Sequence, residues 1–265
     1  MGSRWELQDG HVVPQAHHRR NVPSLRPDDD PTQTKTVFTR LADIAITDYL
    51  PSPSHGLMIW LISNATDLRG IHLPESHFLS DVSKTMIKVS HLSKLEITRI
   101  AGTAEFCDPI VSFMQHHIAM EDQSTLEELI LHIDDGKMHE VTWLDMVSQM
   151  KCLKNLELLA GSIPEDCLPV LEKIGQDCSS LESVTLGKRH DRGSSLADGV
   201  IRSFSRHPNL KYLTVEAKSL SATDILAFTT LPRLERLRLN YYTPDWIKDM
   251  LAELVPNVII QTIYT

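Results

Sequence analysis

The chain has 265 residues, 42% of them hydrophobic, and carries a formal net charge of −9, with an isoelectric point near 5.8. That length supports one large domain or two small ones with a sizeable core. The acidic balance offers nucleic acid no broad electrostatic footprint and is repelled by an anionic membrane surface, so neither is expected as a partner.

Residues 1–36 are rich in Pro, His, Arg, Asp and Gln and show no hydrophobic period; the run Asp28-Asp29-Asp30 precedes Pro31. A segment of this kind cannot bury enough apolar area to offset its chain entropy, and it is expected as a disordered polar tail. His17-His18-Arg19-Arg20 reads as part of that tail rather than as a metal-binding pair. The opening residues hold no apolar run and no stretch of about 20 apolar residues follows, so neither a signal peptide nor a membrane span is expected. Asn64-Ala65-Thr66 then has no glycosylation role. Cys107, Cys152, Cys167 and Cys178 form no C-x-x-C pair, which points to reduced, mostly buried thiols in an intracellular protein of the cytoplasm or nucleus.

From residue 37 to 265 one pattern recurs. It appears as Leu41, Ile44, Ile46, then as Leu68, Ile71, Leu73 and as Leu92, Leu95, Ile97. Leu126, Leu129, Leu131 and Leu153, Leu156, Leu158 follow, then Leu181, Val184, Leu186. Leu210, Leu213, Val215 and Leu234, Leu237, Leu239 close the series, with a degenerate copy at Val258, Gln261 and Ile263. The starts lie 24 to 34 residues apart. One L-x-x-L-x-L is a weak signal; eight good copies at a near-constant period mark a repeat architecture.

Helical patterns fill the gaps. Leu168, Leu171 and Ile174 share a face behind a capping box of Ser162 and Glu165. Ser221 with Asp224 opens Ile225, Leu226 and Phe228. Thr243-Pro244-Asp245 reads as an N-cap, a proline at the first helical position and a first-turn acid. Val141–Val147 and Ala197–Ile201 read as similar helices. The unit is thus a strand followed by a returning helix. Strands space at about 4.8 Å and helices at about 10 Å, so stacked units should curve with the parallel sheet on the concave side. The fold class expected is an α/β solenoid of about nine strand–helix units with convex helices, an arrangement that resembles the leucine-rich-repeat horseshoe.

Two stretches carry a resemblance: Ile174-Gly175-Gln176-Asp177-Cys178-Ser179-Ser180-Leu181-Glu182-Ser183-Val184-Thr185-Leu186, and Met150-Lys151-Cys152-Leu153-Lys154-Asn155-Leu156-Glu157-Leu158. In each a helix ends at or near a cysteine just before the strand. With Pro208-Asn209-Leu210 they resemble the cysteine-containing leucine-rich repeats of F-box/LRR substrate receptors of ubiquitin ligases. The resemblance implies a protein that presents a partner for ubiquitination and does no chemistry itself. No F-box is evident: Leu73-Pro74-Glu75 opens like one but ends a repeat strand. A Skp-type adaptor would be a partner only through an F-box outside this chain.

The leucines of each strand face the core, so the residues between them face the concave side. That surface places acids and exposed aliphatics at its middle (Glu128, Ile130, Glu157, Leu159). It places Tyr212, Arg236, Arg238, Tyr241 and Tyr242 toward the C-terminal end. Tyr and Arg are enriched at interface hot spots, so this cluster is the expected protein-binding site. Catalytic signals are missing: there is no G-x-S-x-G, no phosphate loop and no H-E-x-x-H. His116-His117 with Glu121 has some metal-ligand character, but adjacent residues point apart on a helix. Asp134-Asp135-Gly136-Lys137 reads as a turn. No cofactor, metal or catalytic residue is expected. The reading is a non-enzymatic interaction scaffold. Its alternatives are an inhibitor or regulator of another enzyme, and an enzyme with an unrecognised site in the insertion 99–125.

Overall fold

The computed structural model describes residues 3–8, 11–14, 38–46, 54–134, 137–138, 141–188, 194–240 and 243–263. Its strands are β1 (Ser3–Gln8), β2 (His11–Pro14), β3 (Leu41–Ile46), β4 (Gly70–Pro74), β5 (Lys94–Ile100), β6 (Glu128–Ile133), β7 (Asn155–Ala160), β8 (Ser162–Ile163), β9 (Ser183–Gly187), β10 (Ser195–Leu196), β11 (Tyr212–Glu216), β12 (Arg236–Asn240) and β13 (Ile259–Ile263). Its helices are α1 (Ser54–Asn64), α2 (Ser80–Met86), α3 (Ala104–Ala119), α4 (Leu168–Asp177), α5 (Ala222–Phe228) and α6 (Asp245–Leu254).

The main sheet runs β13-β12-β11-β9-β7-β6-β5-β4-β3-β1-β2, and its first nine strands are parallel. The two-residue strands β8 and β10 pair separately. Register explains why the repeats stack. Ile44, Ile71, Leu95, Leu129, Leu156, Val184, Leu213, Leu237 and Ile260 lie side by side across the sheet. From Ile44 to Leu237 every member of this row is at most 3% exposed. Each unit has an apolar face that only its neighbours can cover. Backbone bonds repeat as well: the carbonyls of Arg69, Ser93, Glu127, Lys154, Glu182 and Lys211 each accept two N–H groups from the next unit.

The returning segments cover one face of the sheet and pack in chain order, α1 on α2 and α2 on α3. The next segment, Thr142–Gln149, is a 3₁₀ helix instead of the expected α-helix; it packs between α3 and α4. Ala197–Ile201, expected as a helix, is instead a turn that leads into the 3₁₀ helix Arg202–Phe204. Such tighter turns suit short connectors. Ser221 caps α5 as expected, its Oγ accepting from the Asp224 N–H at 3.0 Å. Ser162 does not cap α4: it sits in β8, and α4 begins only at Leu168. The start of α6 is one residue later than expected, with Pro244 in place of Thr243 at the N-cap.

Two further expectations are corrected. Part of the predicted tail is built into the sheet: β1 pairs parallel with β3, and β2 pairs antiparallel with β1. The edge of β3 presents a row of backbone donors and acceptors, and β1 pairs with them. The tail motifs at His17–Arg20 and Asp28–Pro31 lie outside the described residues. The last strand is shifted by one residue from the L-x-x-L-x-L reading. Ile260 pairs with Leu237 and Gln261 with Arg238, so Gln261 belongs to the row of Arg238 and not to the leucine row. A one-residue slip exchanges the two faces of a strand, and this register keeps an apolar residue beside Leu237.

The F-box-like start at Leu73-Pro74-Glu75 has a structural role. The Glu75 side chain is 5% exposed and accepts the backbone N–H of Ala101. It also accepts the N–H and hydroxyl of Thr103, at 2.8 and 2.5 Å. Thr103 is the N-cap of α3, so Glu75 ties the start of that helix to the preceding unit.

Cys178 is buried at the C-cap of α4; its thiol donates to the Met150 carbonyl at 3.4 Å, and burial pushes it up to about 11. His207 extends this link, with Nε2 3.0 Å from the Cys178 carbonyl, while its Nδ1 accepts from the Asn209 N–H at 3.2 Å. The cysteine and histidine positions thus join consecutive units.

Candidate functional site

The sheet face opposite the helices is open, and the residues between the leucines form rows across it. The first row runs Lys94, Glu128, Asn155, Ser183, Tyr212, Arg236. The second runs His72, Glu96, Ile130, Glu157, Thr185, Thr214, Arg238.

Toward β4–β7 these rows form a charged network. The Lys94 ammonium lies 2.8 Å from a Glu128 carboxylate oxygen. Glu96 accepts from His132 Nε2 at 3.0 Å and faces His72 Nδ1 at 3.6 Å. Burial pushes the Glu96 carboxyl up, but the His132 hydrogen bond and the nearby His72, His132 and Lys94 charges hold it below its ordinary value. Glu157 is shifted the other way: burial first, then the Glu128 carboxylate, raise it. Strand alternation by itself puts Lys94, Glu96 and His132 on this face but does not join them. Their pairing depends on strand register, which a single strand does not show.

Toward β9–β12, Tyr212, Arg236 and Arg238 come together. With Glu157, Ser183, Thr185, Leu213 and Thr214 they line a cleft of about 230 Å³. The Arg236 guanidinium carbon lies 5.8 Å from the Tyr212 ring centroid, within cation–π range. Arg238 donates from Nε to the Gln261 side-chain oxygen at 3.1 Å. The Tyr212 hydroxyl faces Glu235 at a long 3.4 Å.

The other predicted contact residues divide. Leu159 is half-buried on the open face beside His132. Ile130 was expected as an exposed aliphatic but is 6% exposed, flanked across the strands by Glu96 and Glu157. Tyr241 and Tyr242 lie outside the described residues.

A second charge pattern lies at the strand entries, where the residue after each leading leucine alternates in sign: Glu127, Lys154, Glu182, Lys211, Glu235. Lys154 contacts Glu127 at 2.6 Å and Lys211 contacts Glu182 at 2.9 Å. Each exposed pair contributes little alone, but opposite charges in adjacent units favour one stacking register. The sign alternation was readable at this fixed repeat position.

The insertion 99–125 folds mainly as α3, and between α2 and α3 runs a groove of about 610 Å³. Asp81, Lys84, Glu105 and Asp108 line it with the hydroxyls of Ser80, Ser83 and Ser112, and its walls include no imidazole or thiol. His117 is structural: it is 5% exposed, bonded through Nδ1 to Ser124 Oγ at 2.9 Å and set 4.6 Å from the Phe113 ring. Among the described residues no three His, Cys, Asp or Glu side chains are grouped to hold a metal ion.

The molecule is a mixed α/β protein of strand–helix units with one uncovered sheet face. No protein-family model matches its sequence, and no curated protein matches it at a significant level. Solved structures similar over most of the chain include the following two. One is described as the Toll–Spatzle complex, a molecular hub in Drosophila development and innate immunity, with 12% identity, a TM-score of 0.42, and 85% of this chain and 30% of that chain covered. The other is a TLR13–ssRNA13 complex, with 12% identity, a TM-score of 0.43, and 84% and 36% covered. The chain spans about a third of the length of each.

Proposed function

We propose that this chain is a leucine-rich-repeat protein, a horseshoe-shaped scaffold whose open sheet face binds another protein without chemistry of its own. One observation carries the reading: Tyr212, Arg236 and Arg238, residue types that dominate interface energetics, converge on a cleft in the one sheet face that the helices leave uncovered. The finer version is a substrate-recognition subunit resembling F-box/LRR receptors. It draws on the cysteine positions at Cys152 and Cys178 and on the Pro208-Asn209-Leu210 strand entry. Recruitment of a Skp-type adaptor would then need an F-box outside this chain.

Affinity purification from the native cell tests this, comparing the wild type with the Tyr212→Ala, Arg236→Ala, Arg238→Ala triple variant. The expected result is a protein recovered with the wild type and lost with the variant, at an unchanged melting temperature. Equal recovery by both proteins would end the open-face reading. Recovery without a Skp-type adaptor would remove the ligase version, and potent inhibition of one recovered enzyme would favour a regulator.

A further inference from the structure

The arginines of β12 differ from the paired lysines near them. Lys94 holds Glu128, and at the strand entries Lys154 and Lys211 hold Glu127 and Glu182. Among the described residues neither Arg236 nor Arg238 pairs with a carboxylate. Arg238 bonds a neutral side chain, Gln261. Arg236 lies against the Tyr212 ring, and its Nε, sealed from solvent, has no hydrogen-bond partner among the described residues.

The rest of the cleft repeats the theme. Ser183, Thr185 and Thr214 present hydroxyls that make no hydrogen bond among the described residues. Guanidinium groups have five N–H donors and no acceptor, and they match carboxylate or phosphate oxygens in pairs. Two guanidiniums and three hydroxyls converging on one space therefore suit an oxyanion. Size sets its scale. At about 230 Å³ the cleft is smaller than the ~300–1,000 Å³ usual for small-molecule sites. It accommodates a side chain rather than a cofactor. Glu157 stands on the same lining, and its charge opposes an incoming anion.

Resting on the partner-binding reading of the open face, we propose that this cleft takes one acidic side chain of the partner protein, a carboxylate or a phosphorylated residue, between Arg236 and Arg238. Arg236 is oriented by Tyr212, and the hydroxyls of Ser183, Thr185 and Thr214 complete the coordination.

The test uses three immobilised peptide pools with degenerate neutral flanks and a fixed central phosphoserine, aspartate or alanine. The full chain should bind at least one acidic pool about 10-fold more tightly than the alanine pool, as one charged bidentate contact warrants. The stronger acidic pool identifies the source of the oxyanion. Arg236→Gln with Arg238→Gln should abolish the preference at an unchanged melting temperature, and Glu157→Gln should increase it. Equal binding to the alanine pool, no binding to any pool, or an acidic preference surviving loss of both arginines would overturn the proposal. Partner capture with Glu128→Lys separates the two readings. A partner lost in that variant but kept by the double arginine variant overturns the oxyanion cleft and leaves the open face as a binding surface.

Discussion

Arg236 and Tyr212 are cross-strand partners, and the guanidinium carbon sits 5.8 Å from the ring centroid. The ring supplies a negative face that fixes a flexible cation, at a strength of ~0.5–1 kcal/mol where, as here, the ring itself is exposed. Tyr212→Leu keeps apolar bulk and removes that face. Partner affinity should fall about 2- to 5-fold, as that energy implies. Thermal stability should change little. Tyr212→Phe should bind as the wild type does, because the hydroxyl contact to Glu235 is long and exposed. A titration of all three proteins decides it: Phe behaving like Leu would assign the effect to the hydroxyl instead.

Leu156 and Leu159 lie three residues apart on β7 and face opposite sides of the sheet. Leu156 is fully buried between Leu129 and Val184, whereas Leu159 is half-buried beside His132. Leu156→Ala should cost about 2–5 kcal/mol, since packed neighbours relax only partly into the space it leaves. Leu159→Ala should cost about 1 kcal/mol or less, because less apolar area leaves water there. Urea unfolding of the two variants measures the contrast, and similar midpoints would mean that the two faces have been misassigned.

The leucine rows were legible in the sequence because every unit solves the same problem: a strand buried on one face must place apolar residues at alternating positions. Leu95, Leu129 and Leu156 are core residues whatever their neighbours. The last strand was harder. Ile259, Ile260 and Gln261 fit two registers, and pairing with Leu237 and Arg238 selects one. The burial of Ile130 was hidden for a related reason: its cross-strand neighbours, Glu96 and Glu157, lie on other strands. Glu75 was illegible because its partners, Ala101 and Thr103, lie more than 25 residues onward. The cluster of Tyr212, Arg236 and Arg238 was found because residue type alone marked it.

His117 predicts acid sensitivity. Burial, then the neighbouring His116 charge, lowers its imidazole from 6.5 to about 4. Between those values the unfolded chain binds a proton that the folded chain refuses. Stability is therefore full above about pH 6.5 and declines as pH falls toward 4, by up to ~3 kcal/mol from this group. His117→Gln keeps a polar partner for Ser124 and removes the titration. Urea unfolding at pH 7 and pH 5 should show a smaller loss in the variant than in the wild type; identical losses would place the acid sensitivity elsewhere.

Glu157 and Glu96 share the second row of the open face and should respond to pH in opposite senses. Burial and the Glu128 charge raise Glu157 above its ordinary 4.5, so just above that pH the folded state keeps a proton the unfolded state releases. Its contribution to stability declines as pH rises through that window, and at neutral pH its buried charge is a cost. Glu96 lies below 4.5 despite its burial, because His132, His72 and Lys94 favour its charged form. Its contribution is present above 4.5 and is lost as pH falls through the lower folded value. At pH 7, Glu157→Gln should therefore raise the melting temperature while Glu96→Gln lowers it. The same Glu157→Gln change removes a negative charge from the cleft of Arg236 and Arg238, so acidic peptide should bind more tightly. A Glu157→Gln protein that melts lower than the wild type at pH 7 would show that its carboxylate is stabilised there by contacts stronger than the repulsion from Glu128.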